Sequence, residues 1–99
     1  GGYATTEAYE RGEAEAVAGV RQVGNRALYR RAGNQWVTPR TADLDVEADA
    51  DEIEDVELYG ERYFELVRAN TAAENRLLAS QQPGEELLIE LRGQVYRIR

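Results

Sequence analysis

Two Gly-Asn pairs divide residues 20–38 into three short runs that are rich in β-type side chains. The pairs are Gly24-Asn25 and Gly33-Asn34, and they supply the positive φ angles that tight hairpin turns require. Short runs punctuated in this way are typical of antiparallel strands in sequence order. The pattern predicts a three-stranded meander. Pro39 is expected to end its third strand, because proline cannot donate a hydrogen bond to a sheet.

The C-terminal residues predict a second hairpin. Its first strand is Glu86–Leu91, its turn is Arg92-Gly93 and its return strand is Gln94–Ile98. Alternate positions of a strand face the same side of a sheet. One face is therefore expected to carry the apolar residues Leu87, Ile89 and Leu91, with Tyr96 and Ile98 beside them.

Between these two regions, apolar residues recur at helical spacing. Positions i, i+3, i+4 and i+7 of one helix face are Tyr63, Leu66, Val67 and Asn70. Phe64 widens this stripe, and Tyr59 precedes it. These aromatic residues would form a binding cluster only if they were exposed. Their spacing predicts instead that they belong to the core.

A second helix is predicted directly after the first. Thr71 and Glu74 match a capping box, in which each side chain bonds the other residue's backbone N–H. Pro83-Gly84 is expected to end this helix. The sequence thus predicts two consecutive short helices.

The order of elements is typical of an α+β fold. We expect a small antiparallel sheet, built from the N-terminal meander and the C-terminal hairpin, that packs against the two helices. A chain of 99 residues fits one small domain. Residues 19–99 are predicted to form this domain, and residues 1–18 to be a linker or a frayed helix.

The acidity of the chain is concentrated in one segment. The net charge is −7, yet nine of the fifteen residues in 43–57 are acidic and none is basic. The remainder holds 10 acids and 12 arginines, so the body of the domain is close to neutral. We expect residues 41–55 to form an acidic loop, with a short strand near its end indicated by Ile53, Val56 and Leu58.

The acidic loop has the ligand spacing of an EF-hand calcium loop. Acids occupy positions 1, 3, 5, 7, 9 and 12 of a twelve-residue window, namely Asp43, Asp45, Glu47, Asp49, Asp51 and Glu54. Position 6 is Ala48, where the sharp turn favours glycine, and no helices are predicted to flank the window. One hypothesis is therefore a Ca²⁺ site. The alternatives are a solvated, self-repelling loop, or a loop that docks on arginines of its own domain.

A second candidate site combines arginine and aromatic residues. It consists of Tyr29, Arg30, Arg31, Trp36 and Arg40, with Trp36 expected to stack on Arg30 or Arg31 of a neighbouring strand. The functional interpretation is an interaction surface for acidic or aromatic groups. The alternative is that Trp36 covers the edge of a small core and the arginines are solvated.

Composition excludes several function classes. Cys, His, Lys and Met are absent and Ser80 is the one serine, so thiol and imidazole chemistry, Schiff bases and a Ser-His-Asp triad cannot be built. We therefore do not expect an enzyme. A net charge of −7 argues against nucleic acid as a partner. No apolar run approaches the length of a membrane span, so no membrane insertion is expected.

Three stretches of the chain resemble a known family. They are ALYRRAGNQWV at residues 27–37 and ELYGERYFELV at residues 57–67, followed by the closing GEELLIELRGQVYRI at residues 84–98. Together they resemble the C-terminal region of bacterial, planctomycete-type proteins that combine a VIT domain with a von Willebrand factor type A domain. The acidic loop is longer here than in that pattern.

The resemblance implies a non-catalytic accessory domain of a larger, exported or envelope-associated protein. The metal-binding motif of the von Willebrand domain, Asp-x-Ser-x-Ser, is absent, so no binding residues are carried over. We therefore expect a protein-interaction domain with protein partners. A calcium-responsive module that acts through residues 43–54 is the alternative.

Overall fold

In residues 19–31 and 33–99, which the computed structural model describes, six strands form one mixed sheet. The strands are β1 (Val20–Val23), β2 (Arg26–Arg31), β3 (Gln35–Val37), β4 (Ile53–Val56), β5 (Glu86–Leu91) and β6 (Gln94–Ile98). Their spatial order is β1-β2-β3-β5-β6-β4. The predicted linker or frayed helix at residues 1–18 lies outside the described residues.

The predicted meander and C-terminal hairpin are both confirmed. β1, β2 and β3 pair antiparallel in sequence order, and β5 and β6 form an antiparallel hairpin. Gly24, Gly33 and Gly93 adopt the positive φ angles that their turns require. These turns were readable from the sequence because each depends on two or three adjacent residues.

The sheet is mixed rather than wholly antiparallel. β3 pairs parallel with β5, and β4 pairs parallel with β6 at the far edge of the sheet. Parallel strands need a long connection between them. Here residues 38–85 separate β3 from β5, and the predicted short strand in the acidic run becomes β4, so the loop proper ends at Glu52.

Two helices follow β4. They are α1 (Glu61–Ala69) and α2 (Ala72–Ala79), separated by Asn70 and Thr71, whose backbones are extended. The predicted capping box is present: the backbone N–H of Thr71 donates to Glu74 at 2.8 Å, and that of Glu74 donates to the Thr71 hydroxyl at 3.2 Å. Such a cap contributes about 1 kcal/mol to helix stability.

The core lies between these helices and one face of the sheet, which we call the helix side. Fully buried side chains from the sheet meet those of the helices there, and they include Leu28, Trp36, Leu66, Leu77, Leu78, Leu87, Ile89 and Ile98. The predicted shared face of Leu87, Ile89 and Leu91 is confirmed by their membership of this cluster. Burial of each leucine contributes about 1.5–3 kcal/mol.

The opposite face, which we call the loop side, is covered by the beginning of the acidic segment. Val37 and Leu88 are buried on this face, outside the helix-side cluster. A 3₁₀ turn at Pro39–Thr41 places the Thr41 hydroxyl 2.7 Å from the carbonyl oxygen of Leu88, to which it donates. The domain therefore has a helix layer, a sheet and a thin loop layer.

None of the helices in the described residues has both the length and the apolar character needed to cross a membrane.

Candidate functional site

An aromatic groove is formed by residues of α1 and α2 together with Tyr59, which precedes α1. It has a volume of about 420 Å³ and is lined by Tyr59, Tyr63, Phe64, Val67, Asn75, Leu78 and Ala79. The rings of Tyr59 and Phe64 each lie 5.3 Å from that of Tyr63, edge to face. Such aromatic pairs are favourable beyond their buried area, so the three rings form one ordered surface.

The prediction that all three aromatic residues are core is wrong for two of them. Tyr63 is buried, but Phe64 is 45% exposed and Tyr59 is 65% exposed. On a helix, Phe64 lies about 100° round from Tyr63, which directs it away from the sheet. Tyr59 precedes the first helical residue, so helical spacing did not apply to it.

The backbone at Tyr59 is in the left-handed region, with φ of 64°. A non-glycine residue in this region costs about 1–3 kcal/mol. The backbone N–H of Gly60 donates to the Glu57 carbonyl at 3.0 Å, so Tyr59 lies in the tight turn that precedes α1.

Two exposed carboxylates lie close to the groove in sequence. Glu57 and Glu61 lie on either side of Tyr59 in the chain and are exposed. Among the described residues, no arginine lies within ion-pair distance of either one. Glu65 differs, because Arg62 contacts both Glu65 (3.1 Å) and Glu54 (2.8 Å), and these contacts raise the pKa of Arg62. The lining of the groove itself is uncharged and mostly apolar.

A second concavity, the sheet cleft, opens where β3 ends. Its volume is about 550 Å³, and its lining includes Arg26, Thr38, Arg40, Glu74, Glu90 and Arg92. Glu90 pairs with Arg40 at 3.0 Å, and Glu74 pairs with Arg92. Sequence reasoning missed this cleft, although the predicted early end of the third strand at Pro39 was the signal for it.

The arginine and aromatic set does not form one surface. Trp36 is buried on the helix side and is only 2% exposed, as the alternative interpretation anticipated. Tyr29 and Arg31 lie on the loop side, because they alternate with Leu28 and Arg30 along β2. Arg31 donates to the carbonyl oxygens of Ala42 (2.7 Å) and Leu44 (2.9 Å), so it holds the backbone of the acidic loop rather than its carboxylates.

The stacking partner of Trp36 is Arg21, not Arg30 or Arg31. The guanidinium of Arg21 lies 4.1 Å from the indole ring centroid and makes two hydrogen bonds, of 2.8 and 2.6 Å, to the carboxylate of Glu85. Burial alone would raise the pKa of Glu85, but the bonds from Arg21 and from the Gln82 backbone N–H outweigh it, and the pKa is lowered. This partly buried cluster ties β1 to the segment before β5.

The six acids of the EF-hand window are not gathered round one point. In residues 19–31 and 33–99, no group of three or more such side chains is placed to hold a metal ion. Asp45 instead accepts hydrogen bonds from the backbone N–H groups of Ala48 (2.9 Å) and Glu47 (2.8 Å), which lower its pKa. Asp49 accepts from the backbone N–H of Asp45 at 2.8 Å. The Ca²⁺ site stays a prediction.

Comparisons with family models, curated proteins and solved structures found nothing that matches this chain. The resemblance to the VIT and von Willebrand factor type A proteins therefore stays a prediction.

Proposed function

We propose that this domain is a non-catalytic protein-interaction module of a larger protein, and that the aromatic groove is the surface its partner contacts. The observation that carries the proposal is the exposure of Tyr59 and Phe64 beside the buried ring of Tyr63. Large apolar side chains grouped on a surface mark interaction sites, because water is displaced from them on binding. The absence of Cys, His and Lys supports a role without catalysis.

The charges beside the groove define the kind of partner. Glu57 and Glu61 are exposed and lie two residues on either side of Tyr59, which lines the apolar groove. A complementary segment would insert an aliphatic or aromatic side chain and place lysine or arginine residues next to it. The proposed partner is therefore a protein segment with an apolar anchor and basic flanks, in another domain of the same protein or in a different chain.

Photo-crosslinking in the full-length protein tests this proposal. A benzoylphenylalanine at position 64 is expected to crosslink to a segment with the stated chemistry, identified by mass spectrometry. The same group at position 29, an exposed tyrosine on the loop side, is the matched control. The Tyr59→Ser and Glu57→Lys variants are each expected to lower the yield from position 64 several-fold.

Two results would overturn the proposal. Equal yields from positions 64 and 29 would show that the groove has no preferred partner. Crosslinks solely between two copies of position 64, together with a dimer that Phe64→Ser dissociates, would assign the groove to self-association.

A further inference from the structure

The sheet has a gap one strand wide. β3 has three residues, whereas its neighbours β2 and β5 have six each. β3 pairs with β2 only from Tyr29 onward, and with β5 only as far as Leu88. Thr38 and the turn at Pro39–Thr41 fill the part of this space next to Val37. Beyond them, in the described part of the chain, no strand lies between the outer ends of the two edges, at Arg26-Ala27 and Glu90-Leu91, and the sheet cleft opens there. Strands that flank a common neighbour stand about 9–10 Å apart, which leaves room for one strand.

Backbone groups on both edges of this gap point into it. Along β2, the N–H of Arg30 donates to Gly19 on the β1 side, so alternation directs the N–H and C=O of Ala27 to the opposite side, towards the gap. Along β5, the N–H of Glu86 donates to Asn34 and the C=O of Leu88 accepts from the Thr41 hydroxyl, both on the β3 side. By alternation, the backbone N–H and C=O of Glu90 also point to that side, into the gap. In the described residues, no hydrogen bond outside regular strand pairing occupies these groups of Ala27 and Glu90.

The charges that line the gap favour an acidic occupant. Arg26, Arg40 and Arg92 face two carboxylates, and each carboxylate already has an arginine partner. Within residues 19–31 and 33–99, Arg26 has no carboxylate within ion-pair distance. The cleft is therefore locally positive in a chain whose net charge is −7.

We infer that the sheet cleft binds an extended acidic peptide segment of another protein by strand addition. The segment would continue the line of β3, pair with Ala27 on one edge and Glu90 on the other, and place a carboxylate against Arg26. Arg26 shares the helix side with Leu28, whereas Glu90 shares the loop side with Leu88. A peptide side chain on the helix side would thus be acidic, facing Arg26, and one on the loop side would be apolar, facing Ala27, because Glu90 is already paired with Arg40. This surface is separate from the aromatic groove.

An NMR titration of the full chain with a capped Glu-Val-Glu-Val-Glu peptide tests the inference. Saturable shifts are expected at the amides of Ala27 and Glu90, together with slower hydrogen exchange at both. The corresponding Lys-Val peptide is expected to bind at least tenfold more weakly. A peptide with N-methylated backbone nitrogens is expected to lose binding, because it cannot form the ladder.

Substitutions separate the cleft from general electrostatic attraction. Arg26→Gln is expected to weaken binding of the Glu-Val peptide at least fivefold. Arg30→Gln removes the same charge from the same strand, outside the cleft, and is expected to leave affinity unchanged. Fluorescence anisotropy of labelled peptide provides the measurement.

Several results would overturn the inference. The first is the absence of saturable shifts at millimolar Glu-Val peptide. The second is binding of the N-methylated or Lys-Val peptide as tight as that of the Glu-Val peptide. The third is a loss of affinity in Arg30→Gln equal to that in Arg26→Gln. Protection of the Ala27 and Glu90 amides before any peptide is added would place another part of the same chain, or a second copy, in the cleft.

Discussion

The helix side and the loop side of the sheet are both covered, but by different kinds of interaction. On the helix side, apolar side chains from the sheet and two helices pack in one cluster. On the loop side, coverage depends on hydrogen bonds, such as that from Thr41 to the Leu88 carbonyl, and on charged side chains. There Arg97 lies 2.9 Å from Glu86, and Gln35 donates to the same carboxylate.

The two kinds of interaction contribute different amounts to the free energy of unfolding. Apolar burial contributes several kcal/mol per large side chain, whereas a net hydrogen bond contributes about 0.5–1.5 kcal/mol. The acidic segment carries many like charges and few apolar residues, so apolar burial contributes little to its attachment and it depends on specific anchors to the sheet. We therefore expect the helix side to determine global stability and the loop side to open locally first.

The largest expected effect is that of Leu77→Ala on the helix side. Leu77 is fully buried between α2 and the sheet, so truncation removes its packing and leaves a cavity. We expect a loss of about 2–5 kcal/mol in the free energy of unfolding, measured by urea denaturation. The Leu77→Met variant keeps the volume and should lose less than about 1.5 kcal/mol. Equal losses in the two variants would contradict the cavity explanation.

Glu85→Gln tests the polar cluster at the margin of the helix side. It removes the charge that Arg21 contacts while preserving shape, and we expect a loss of about 2–3 kcal/mol. Because the folded pKa of Glu85 is lowered, its ionised form stabilises the fold above its ordinary pKa of 4.5. That stabilisation is lost as the pH falls through the lower folded value.

Acid titration of both proteins separates charge from packing at this position. Unfolding free energies of the original chain and of Glu85→Gln should converge as the pH falls from neutrality to below the folded pKa of Glu85. A gap between the two that is constant with pH would show that the charge of Glu85 contributes nothing.

Thr41→Val tests the anchor on the loop side. Its hydroxyl donates to the Leu88 carbonyl and accepts from the Thr38 backbone N–H at 3.1 Å, and all three residues are buried. The substitution leaves both backbone groups without this partner. We expect the free energy of unfolding to fall by about 1–2 kcal/mol, measured by thermal or chemical denaturation. Thr41→Ser retains the hydroxyl and should recover most of the loss. Should it be as unstable as Thr41→Val, methyl packing rather than hydrogen bonding secures the loop.

Asp45→Asn is expected to have the smallest effect, confined to the acidic segment. The backbone N–H groups of Glu47 and Ala48 bond to the Asp45 carboxylate, and ionisation strengthens these bonds. Amide hydrogen exchange of these two residues should quicken, while the urea midpoint stays unchanged. In the original chain, the same quickening relative to an unstructured reference peptide should appear as the pH falls through the lowered pKa of Asp45. A shifted urea midpoint would show that this segment supports the whole fold.

Features that depend on neighbouring residues were predictable. The turns at Gly24 and Gly33, the capping box at Thr71 and the C-terminal hairpin each involve residues at most a few positions apart. Their conformations follow from local φ preferences, capping and alternation, which are visible in one sequence.

The candidate sites were predictable only in part. Acid spacing in residues 43–54 suggested a metal site as one of three alternatives, and the structure shows that the carboxylates of Asp45 and Asp49 accept hydrogen bonds from backbone N–H groups of the same segment. The aromatic residues were identified, yet their exposure depends on how α1 is rotated against the sheet. Helical periodicity specifies an apolar stripe but does not say where its margin meets solvent.

By itself, the sequence determined the class of each element, its turns and caps, and the concentration of charge in one segment. The tertiary structure alone decided the parallel pairings of β3 with β5 and of β4 with β6, and the stacking of Arg21 on Trp36. It also decided the exposure of Phe64 and the gap beyond Val37. Each of these joins or separates residues far apart in the chain, and their energies depend on burial and pairing that no local pattern encodes.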